Sequence, residues 1–118
     1  MFVITSSIWK NQKAKVVIKI KLTGRFDSMY RDLVEGDEEL KDLITEKVSW
    51  FKRNPADTRL KNHKLSKQLR GKWAFSITDD MRIVYQWQGK NKARFLAIGP
   101  HEQVYSSIEK LKVKQTLS

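Results

Sequence analysis

Three kinds of side chain in the second half of this chain could act together on a phosphodiester: histidines, a strand arginine and a run of cations. Histidine titrates near neutral pH, so His63 or His101 could accept or donate a proton. Arg82 lies inside a predicted strand, and the tract from Arg59 to Lys72 holds six Lys or Arg residues and no acid. A cationic surface that carries a titratable group suits a phosphodiester better than a small metabolite.

Cleavage of RNA without a metal requires three groups. A base takes the proton of the 2′-OH, a cation stabilises the phosphorane, and an acid protonates the departing 5′-oxygen. His, Tyr, Asp, Lys and Arg can supply all three, and the second half of the chain contains each type. The chain has no cysteine and only two histidines, which excludes thiolate chemistry and makes a dedicated metal site improbable. We therefore expect no metal and no other cofactor.

Each candidate residue also has an ordinary structural explanation. Arg82 could be a surface charge or half of a salt bridge, and a single exposed histidine is more often incidental than catalytic. A net charge of +11 could simply keep a small protein soluble. The charge is uneven, however: residues 1–57 carry eleven Lys or Arg against nine acids, and residues 58–118 carry thirteen against four. A basic half of this kind favours nucleic acid, an anionic membrane surface or an acidic protein as partner.

The first half predicts a strand followed by two helices. Residues 15–22 alternate between apolar residues and lysine, which is typical of a half-buried strand. An amphipathic helix should begin near Arg25 or Phe26 and end at Gly36. A second should be capped by Asp37 and run to about Arg53. One face of the strand is predicted to be buried, and it consists of Val16, Ile18, Ile20 and Leu22.

The second half predicts three strands joined by tight turns, over residues 73–77, 81–87 and 93–98, which must form an antiparallel meander. The basic tract before them is predicted to be a loop with little regular structure. Gly99-Pro100 should break the last strand and leave His101 in a solvent-exposed loop. A short C-terminal helix is expected from Val104 to Leu111.

The predicted fold class is therefore α+β. The elements follow in the order strand, two helices, three-strand meander and short C-terminal helix, and the strands are expected to form one antiparallel sheet. The first helices should cover one face of the sheet. Arg82 and Ser76 should lie on the other face, bordered by the basic tract and His101. With 118 residues, the chain is long enough for one domain with a single modest core.

Four short motifs follow one another in the second half. They are His-x-Leu at 63–65, Gly-x-Trp at 71–73, Arg-x-Val-Tyr at 82–85 and Gly-x-His-x-x-Val-Tyr at 99–105. In this order and spacing the chain resembles the RelE/ParE toxin superfamily, in particular the YafQ-like mRNA interferases of bacterial type II toxin–antitoxin pairs. The resemblance covers residues 15–111. It implies one RelE-like domain over residues 1–118, with an N-terminal extension over 1–13 and a polar tail over 112–118.

The resemblance also implies an activity and its partners. It implies a ribosome-dependent endoribonuclease that cuts mRNA by 2′-OH attack without a metal, in contact with ribosomal RNA. A cognate antitoxin protein would cover its basic face and hold it inactive. No stretch approaches the length that spans a bilayer, so we expect no membrane partner. The absence of cysteine fits the cytoplasm, where we expect the protein to act.

Residue roles carry over from the family position by position. His101 matches the catalytic histidine, Arg82 the strand arginine that contacts phosphate, and Tyr105 the aromatic residue that orients the nucleotide. His63 and Asp80 match a histidine and a turn acid of the YafQ-like branch. The cations expected to hold mRNA or ribosomal RNA are Lys61, Lys64, Lys67, Arg70 and Lys72.

Two positions depart from the family pattern. Where the YafQ-like branch can carry a second strand histidine, this chain has Ser76, and where it has an arginine before the last Gly-x-His, this chain has Ala97. One acid–base or phosphate-binding group is therefore missing or replaced, with Lys72, Lys67 or Arg94 as possible substitutes.

Two other functions stay open. One is a ParE-like protein that poisons DNA gyrase without hydrolysing anything, although the presence of His101 and Arg82 speaks against it. The other is a catalytically weak member that only binds its antitoxin and represses transcription.

Overall fold

The computed structural model describes residues 17–106 and 108, which form a five-stranded sheet, two long helices and the start of a C-terminal helix. The long helices are α1 (Gly24–Val34) and α2 (Glu38–Arg53), and residues 101–106 and 108 are also helical. The strands are β1 (Lys19–Leu22), β2 (His63–Lys64), β3 (Trp73–Ser76), β4 (Met81–Trp87) and β5 (Lys92–Pro100). The predicted N-terminal extension, the polar tail and the last turn of the C-terminal helix lie outside the described residues. In the described ranges, no helix is long and apolar enough to cross a membrane.

The α+β class and the meander of β3, β4 and β5 are confirmed, but the sheet is mixed rather than antiparallel. Its strand order is β1-β5-β4-β3-β2, and β1 pairs with β5 in parallel. Tight turns fix the directions of the meander strands, whereas no turn fixes the direction of β1. The two helices and the basic tract between β1 and the meander form a connection long enough for parallel pairing.

The β1 prediction is half right. Ile18 is buried and Ile20 is half-buried, while Val17, Lys19 and Lys21 are exposed as expected. Leu22, which was predicted to be buried, is 51% exposed, because it is the last residue of an edge strand. Residues 15 and 16 of the predicted strand lie outside the described part of the chain.

The two long helices are fixed at their starts by side-chain caps. The Thr23 hydroxyl accepts a hydrogen bond from the Phe26 N–H at 3.1 Å and donates one to the Phe95 carbonyl at 2.9 Å, so it caps α1 and joins it to β5. The Asp37 carboxylate accepts from the Leu40 N–H at 3.0 Å, which confirms the predicted cap of α2.

One face of the sheet packs against α1 and α2 through an aromatic core. Phe51 of α2 is fully buried, and its ring centroid lies 4.7 Å from that of Phe75 and 4.9 Å from that of Tyr85. Phe26 of α1 lies 5.3 Å from Phe95. The predicted alternation along β3 and β4 is therefore confirmed. Each of these large side chains stabilises the fold by roughly 2 kcal/mol through burial.

The basic tract has more regular structure than predicted. It contains strand β2, which pairs with β3, and 3₁₀ turns at Thr58–Leu60 and Lys67–Leu69. Leu60 and Leu69 are buried, so the hydrophobic effect holds the tract against the sheet at two points. The prediction of an irregular loop was wrong because it relied on the polar composition of the tract and gave no weight to these two leucines.

The second face of the sheet carries a smaller core. Ala74, Val84 and Ala97 lie there under Leu69 from the basic tract and Val104 from the C-terminal helix. The basic tract and the C-terminal helix therefore approach each other over the sheet face to which Arg82 belongs.

Candidate active site at the start of the C-terminal helix

The start of the C-terminal helix is placed directly at the end of β5. Gly99 and Pro100 were predicted to break the strand, and this prediction was wrong. They pair with Arg82 and Met81 of β4. Helical structure then begins at residue 101 without an intervening loop, and not at Val104. The abrupt change of direction requires Gly99, whose φ of +153° lies where side-chain-bearing residues are rarely found.

His101 is anchored by its backbone and exposed through its ring. Its N–H donates to the Asp80 carbonyl at 2.8 Å, which links the helix start to the β3–β4 turn. The His101 ring packs edge-on against Tyr105, one helical turn later, with 4.3 Å between ring centroids. The imidazole is thus oriented on one side and open to solvent on the other.

Tyr105 is half-buried beside two other groups of the site. Burial raises the pKa of its phenol, and the nearby charge of Arg82 opposes that rise. The phenol therefore stays protonated at neutral pH and can donate a hydrogen bond to a sugar or phosphate oxygen.

One guanidinium nitrogen of Arg82 is hydrogen-bonded to the backbone of the β3–β4 turn. Its Nη1 donates to the carbonyls of Thr78 and Asp79, at 2.8 Å each, and more weakly to that of Met81 at 3.3 Å. Among the described residues no carboxylate pairs with Arg82, so the salt-bridge explanation does not apply there. The remaining guanidinium N–H groups are available to an anion beside Tyr105. Asp80, Arg82, His101 and Tyr105 together are called the junction site below.

Asp80 contributes to the junction site through its backbone. Its carbonyl accepts the bond from His101, and its own N–H bonds to the Thr78 hydroxyl at 3.3 Å. The residue is exposed in the tight β3–β4 turn. The geometry makes it a positioning residue for His101.

The structure does not place His63 in contact with the other candidates. It is exposed on edge strand β2, opposite Ala74, and its Nδ1 lies 2.9 Å from the Lys61 carbonyl. In the neutral ring this bond puts the proton on Nδ1 and leaves Nε2 as a base. Two strand spacings separate β2 from β4, roughly 10 Å across the sheet.

The two departures from the family pattern have different surroundings. Ser76 is buried opposite Arg82, so its hydroxyl lies on the face of the junction site. Ala97 is fully buried in the second core, opposite Val84. Of the possible substitutes, Arg94 pairs with Gln86, four residues along β4 from Arg82, which is roughly 13 Å away.

The predicted RNA-binding cations lie along the basic tract. Lys72 is half-buried and the other four are exposed. Lys61 and Lys67 have φ values of +51° and +57°, which turn the backbone sharply around Asn62–Ser66. The tract thus presents its cations to solvent while Leu60 and Leu69 anchor it. The five cations predicted to bind RNA are Lys61, Lys64, Lys67, Arg70 and Lys72, and the sixth cation of the tract, Arg59, is paired with Asp57.

One polar contact that fixes this tract was not predicted from the sequence. The Tyr85 hydroxyl donates to Asn62 Oδ1 at 2.9 Å, and Asn62 Nδ2 donates to the Pro55 carbonyl at 3.0 Å. Burial, opposed by the bond to Asn62, raises the pKa of Tyr85 to about 12. A lone asparagine next to His63 was the only sequence signal, and its partner lies 23 residues away.

Comparison with known proteins gives matches in structure but not in sequence. No protein-family model matches the chain, and no curated protein matches it significantly. The YoeB/ParE toxin from Agrobacterium tumefaciens is similar with a TM-score of 0.62 and 22% identity, over 71% of this chain and 99% of that one. YafQ from E. coli is similar with a TM-score of 0.57 and 18% identity, over 75% of this chain and 98% of that one.

Some of the similar structures are complexes of a toxin with its antitoxin. YafQ in the E. coli DinJ–YafQ toxin–antitoxin complex has a TM-score of 0.61 and 16% identity, over 76% of this chain and 99% of the matched chain. The YoeB–YefM complex from Staphylococcus aureus gives a TM-score of 0.60 and 21% identity, over 71% and 97%. The helices and the sheet of this chain therefore have the fold of the RelE/YoeB/YafQ toxins.

Proposed function

We propose that this protein is the toxin of a type II toxin–antitoxin pair and that it cuts mRNA on the ribosome. The observation that carries the proposal is the junction site, in which a solvent-open imidazole, a protonated phenol and a partly unbonded guanidinium converge. The fold shared with YoeB and YafQ toxins supports it.

In the proposed reaction, the 2′-oxygen of one nucleotide attacks the adjacent phosphorus. The P–O bond to the 5′-oxygen breaks, and a 2′,3′-cyclic phosphate forms. His101 accepts the proton of the 2′-OH as a base or donates the proton that the departing 5′-oxygen takes up as an acid, and solvent water exchanges the other proton. Arg82 neutralises the phosphorane, and Tyr105 donates a hydrogen bond that orients the nucleotide.

The remaining candidates have supporting roles in this proposal. Asp80 positions His101 through its carbonyl. His63, on the edge strand, contacts the RNA backbone farther along the chain, or serves as a second base if the bound RNA brings it closer. The cations of the basic tract hold mRNA and ribosomal RNA, which are polyanions.

The partner proposed for the inactive state is a cognate antitoxin protein. E. coli YafQ occurs in a complex with DinJ, and S. aureus YoeB in a complex with YefM. An antitoxin bound over the basic tract and the junction site would keep RNA away. The toxin would act in the cytoplasm, where mRNA is translated.

The test is primer-extension mapping of a reporter mRNA in a purified translation system. We expect discrete cuts with wild-type protein and none above background with His101→Ala. Because His101 is exposed, its removal should leave the fold intact, which a circular-dichroism melt checks. Glu102→Ala, an exposed neighbour, is the matched control and should cut like wild type. An uncut reporter with folded wild-type protein rejects the proposal, and inhibition of gyrase supercoiling by that protein would favour the gyrase alternative.

A further inference from the structure

A cavity lies far from the junction site, on the sheet face that α2 covers. It has a volume of about 700 Å³ and is formed by Trp73 and Trp87 together with residues 54–58, 61 and 62. This volume is in the range of pockets that hold nucleotide-sized ligands. Trp87 lies five residues along β4 from Arg82, roughly 17 Å, and points to the other face of the sheet. The cavity is therefore a separate site, here called the tryptophan cleft.

The two indole rings of the tryptophan cleft are rigidly held. Tyr85 lies between them, with centroids 6.4 Å from Trp73 and 5.3 Å from Trp87. Phe51 packs against Trp87 at 5.9 Å. Both indoles are nevertheless only half-buried, whereas Tyr85 and Phe51 are fully buried. Rigid and partly exposed aromatic rings are the surfaces on which unpaired bases stack.

The charge around the tryptophan cleft is suited to a phosphate. Lys61 lines it and is exposed. The Lys64 ammonium lies 5.5 Å from the centre of the Trp73 ring, within range of a cation–π contact. Asp57 is the only acid among the lining residues, and its carboxylate is bound by Arg59 at 2.7 and 3.0 Å. The cleft therefore offers net positive charge next to its aromatic walls.

We propose that Trp73 and Trp87 form a stacking site for one unpaired base of single-stranded RNA, with Lys61 and Lys64 on the adjacent phosphates. The proposal rests on the proposed function, to which it adds a second RNA contact remote from the chemistry. A purely apolar occupant would leave the two lysines without a counter-charge, and the bases of a duplex are stacked on one another and are not available to the indole rings.

The test measures binding alone, in a His101→Ala background that removes cleavage. The probe is a fluorescein-labelled oligouridine 8-mer, followed by anisotropy at fixed salt. We expect Trp87→Leu to weaken binding about tenfold and Trp87→Phe to retain most of it, because only the phenyl ring can stack. Lys61→Asn should weaken binding and reduce its salt dependence by about one counterion, since asparagine tolerates the positive φ. Lys41→Gln, exposed on α2, is the matched control.

A second readout separates stacking from loss of structure. At saturating protein, a 2-aminopurine base in the same RNA should be quenched less by Trp87→Leu than by wild type, because one of the two indole rings is lost. Equal binding by Trp87→Leu and wild type, or equal loss in the Leu and Phe variants, overturns the inference. Stronger binding to duplex RNA than to the single strand does so as well. These binding results do not depend on mRNA cleavage, so a protein that binds RNA through the cleft without cutting mRNA rejects only the proposed function.

Discussion

The backbone N–H of His101 donates to the carbonyl of Asp80, with 2.8 Å between nitrogen and oxygen. The same β3–β4 turn offers the carbonyls of Thr78 and Asp79 to Arg82. One four-residue turn therefore fixes both the helix that carries the imidazole and the guanidinium beside it. Because all of these acceptors are backbone atoms, the carboxylates of Asp79 and Asp80 are not required for the arrangement. The Thr78 hydroxyl does support the turn, since it accepts from the N–H groups of Asp80 and Met81 at 3.3 and 3.0 Å.

This arrangement predicts that Asp80→Ala has little effect. The variant keeps the carbonyl that binds His101, so mRNA cleavage should stay within about twofold of wild type, as for most surface substitutions. Primer extension with quantified cut products measures it, and Asp79→Ala is the matched control from the same turn. A loss of more than about tenfold in Asp80→Ala, with Asp79→Ala normal, would show that the Asp80 carboxylate takes part directly.

Substitutions of Arg82 should reduce mRNA cleavage by different amounts, depending on what the new side chain keeps. Arg82→Lys keeps the positive charge but loses the guanidinium, whose separate N–H groups can donate to the turn and to a phosphate at the same time. Cleavage should therefore fall about tenfold. Arg82→Gln should cost about a hundredfold, because it removes the charge that stabilises the phosphorane. Single-turnover cleavage measures both, and Lys19→Gln, an exposed cation of β1, is the control. Equal activity of Arg82→Lys and wild type would show that only the positive charge of Arg82 matters and that its hydrogen bonds to the phosphate do not.

The backbone conformation of Gly99 should affect both the stability of the protein and its cleavage activity. Its φ of +153° is unfavourable for alanine, so Gly99→Ala should lower the free energy of unfolding by about 1–3 kcal/mol. Because strain at residue 99 must move His101, cleavage should fall even at temperatures where the variant is fully folded. Urea titration and cleavage at 15 °C measure the two effects. Gly89→Ala in the β4–β5 turn, with a φ of +83°, is the control and should lose stability without losing cleavage.

Tyr85 predicts a loss of stability at high pH. Its pKa is about 12 in the folded protein and ordinarily near 10, so both states are protonated below pH 10 and the contribution is intact there. Between pH 10 and 12 the unfolded chain loses the proton while the folded chain keeps it, so stability falls as pH rises. Urea titrations at pH 8 and pH 11 should show this fall in wild type.

Tyr85→Phe tests the cause of that fall. The variant should lose about 1 kcal/mol at pH 8, because Asn62 loses its donor, and should show a much flatter dependence up to pH 11. A smaller fall should remain from Tyr105, whose pKa is also raised by burial. Tyr105→Phe is the comparison. Parallel pH dependences of wild type and Tyr85→Phe would contradict the assignment to Tyr85.

Several features of this protein could be predicted from the sequence because they depend on neighbours along the chain. The alternation from residue 73 to 87 gave both the strands and the inward face of Phe75 and Tyr85. Asp37 was recognised as a cap because a cap bonds only three residues ahead. His101, Arg82 and Tyr105 were identified by motif, and the fold places them together.

Other features were decided by contacts between residues far apart in the chain. The parallel pairing of β1 with β5 and the bond between Tyr85 and Asn62 join segments that no local pattern connects. Gly99-Pro100 has the composition of a strand breaker, yet cross-strand bonds to β4 keep it in the sheet. The tryptophan cleft arises in the same way. Local sequence sets the period of each element, whereas register and direction are set by the hydrophobic surfaces that must be buried together.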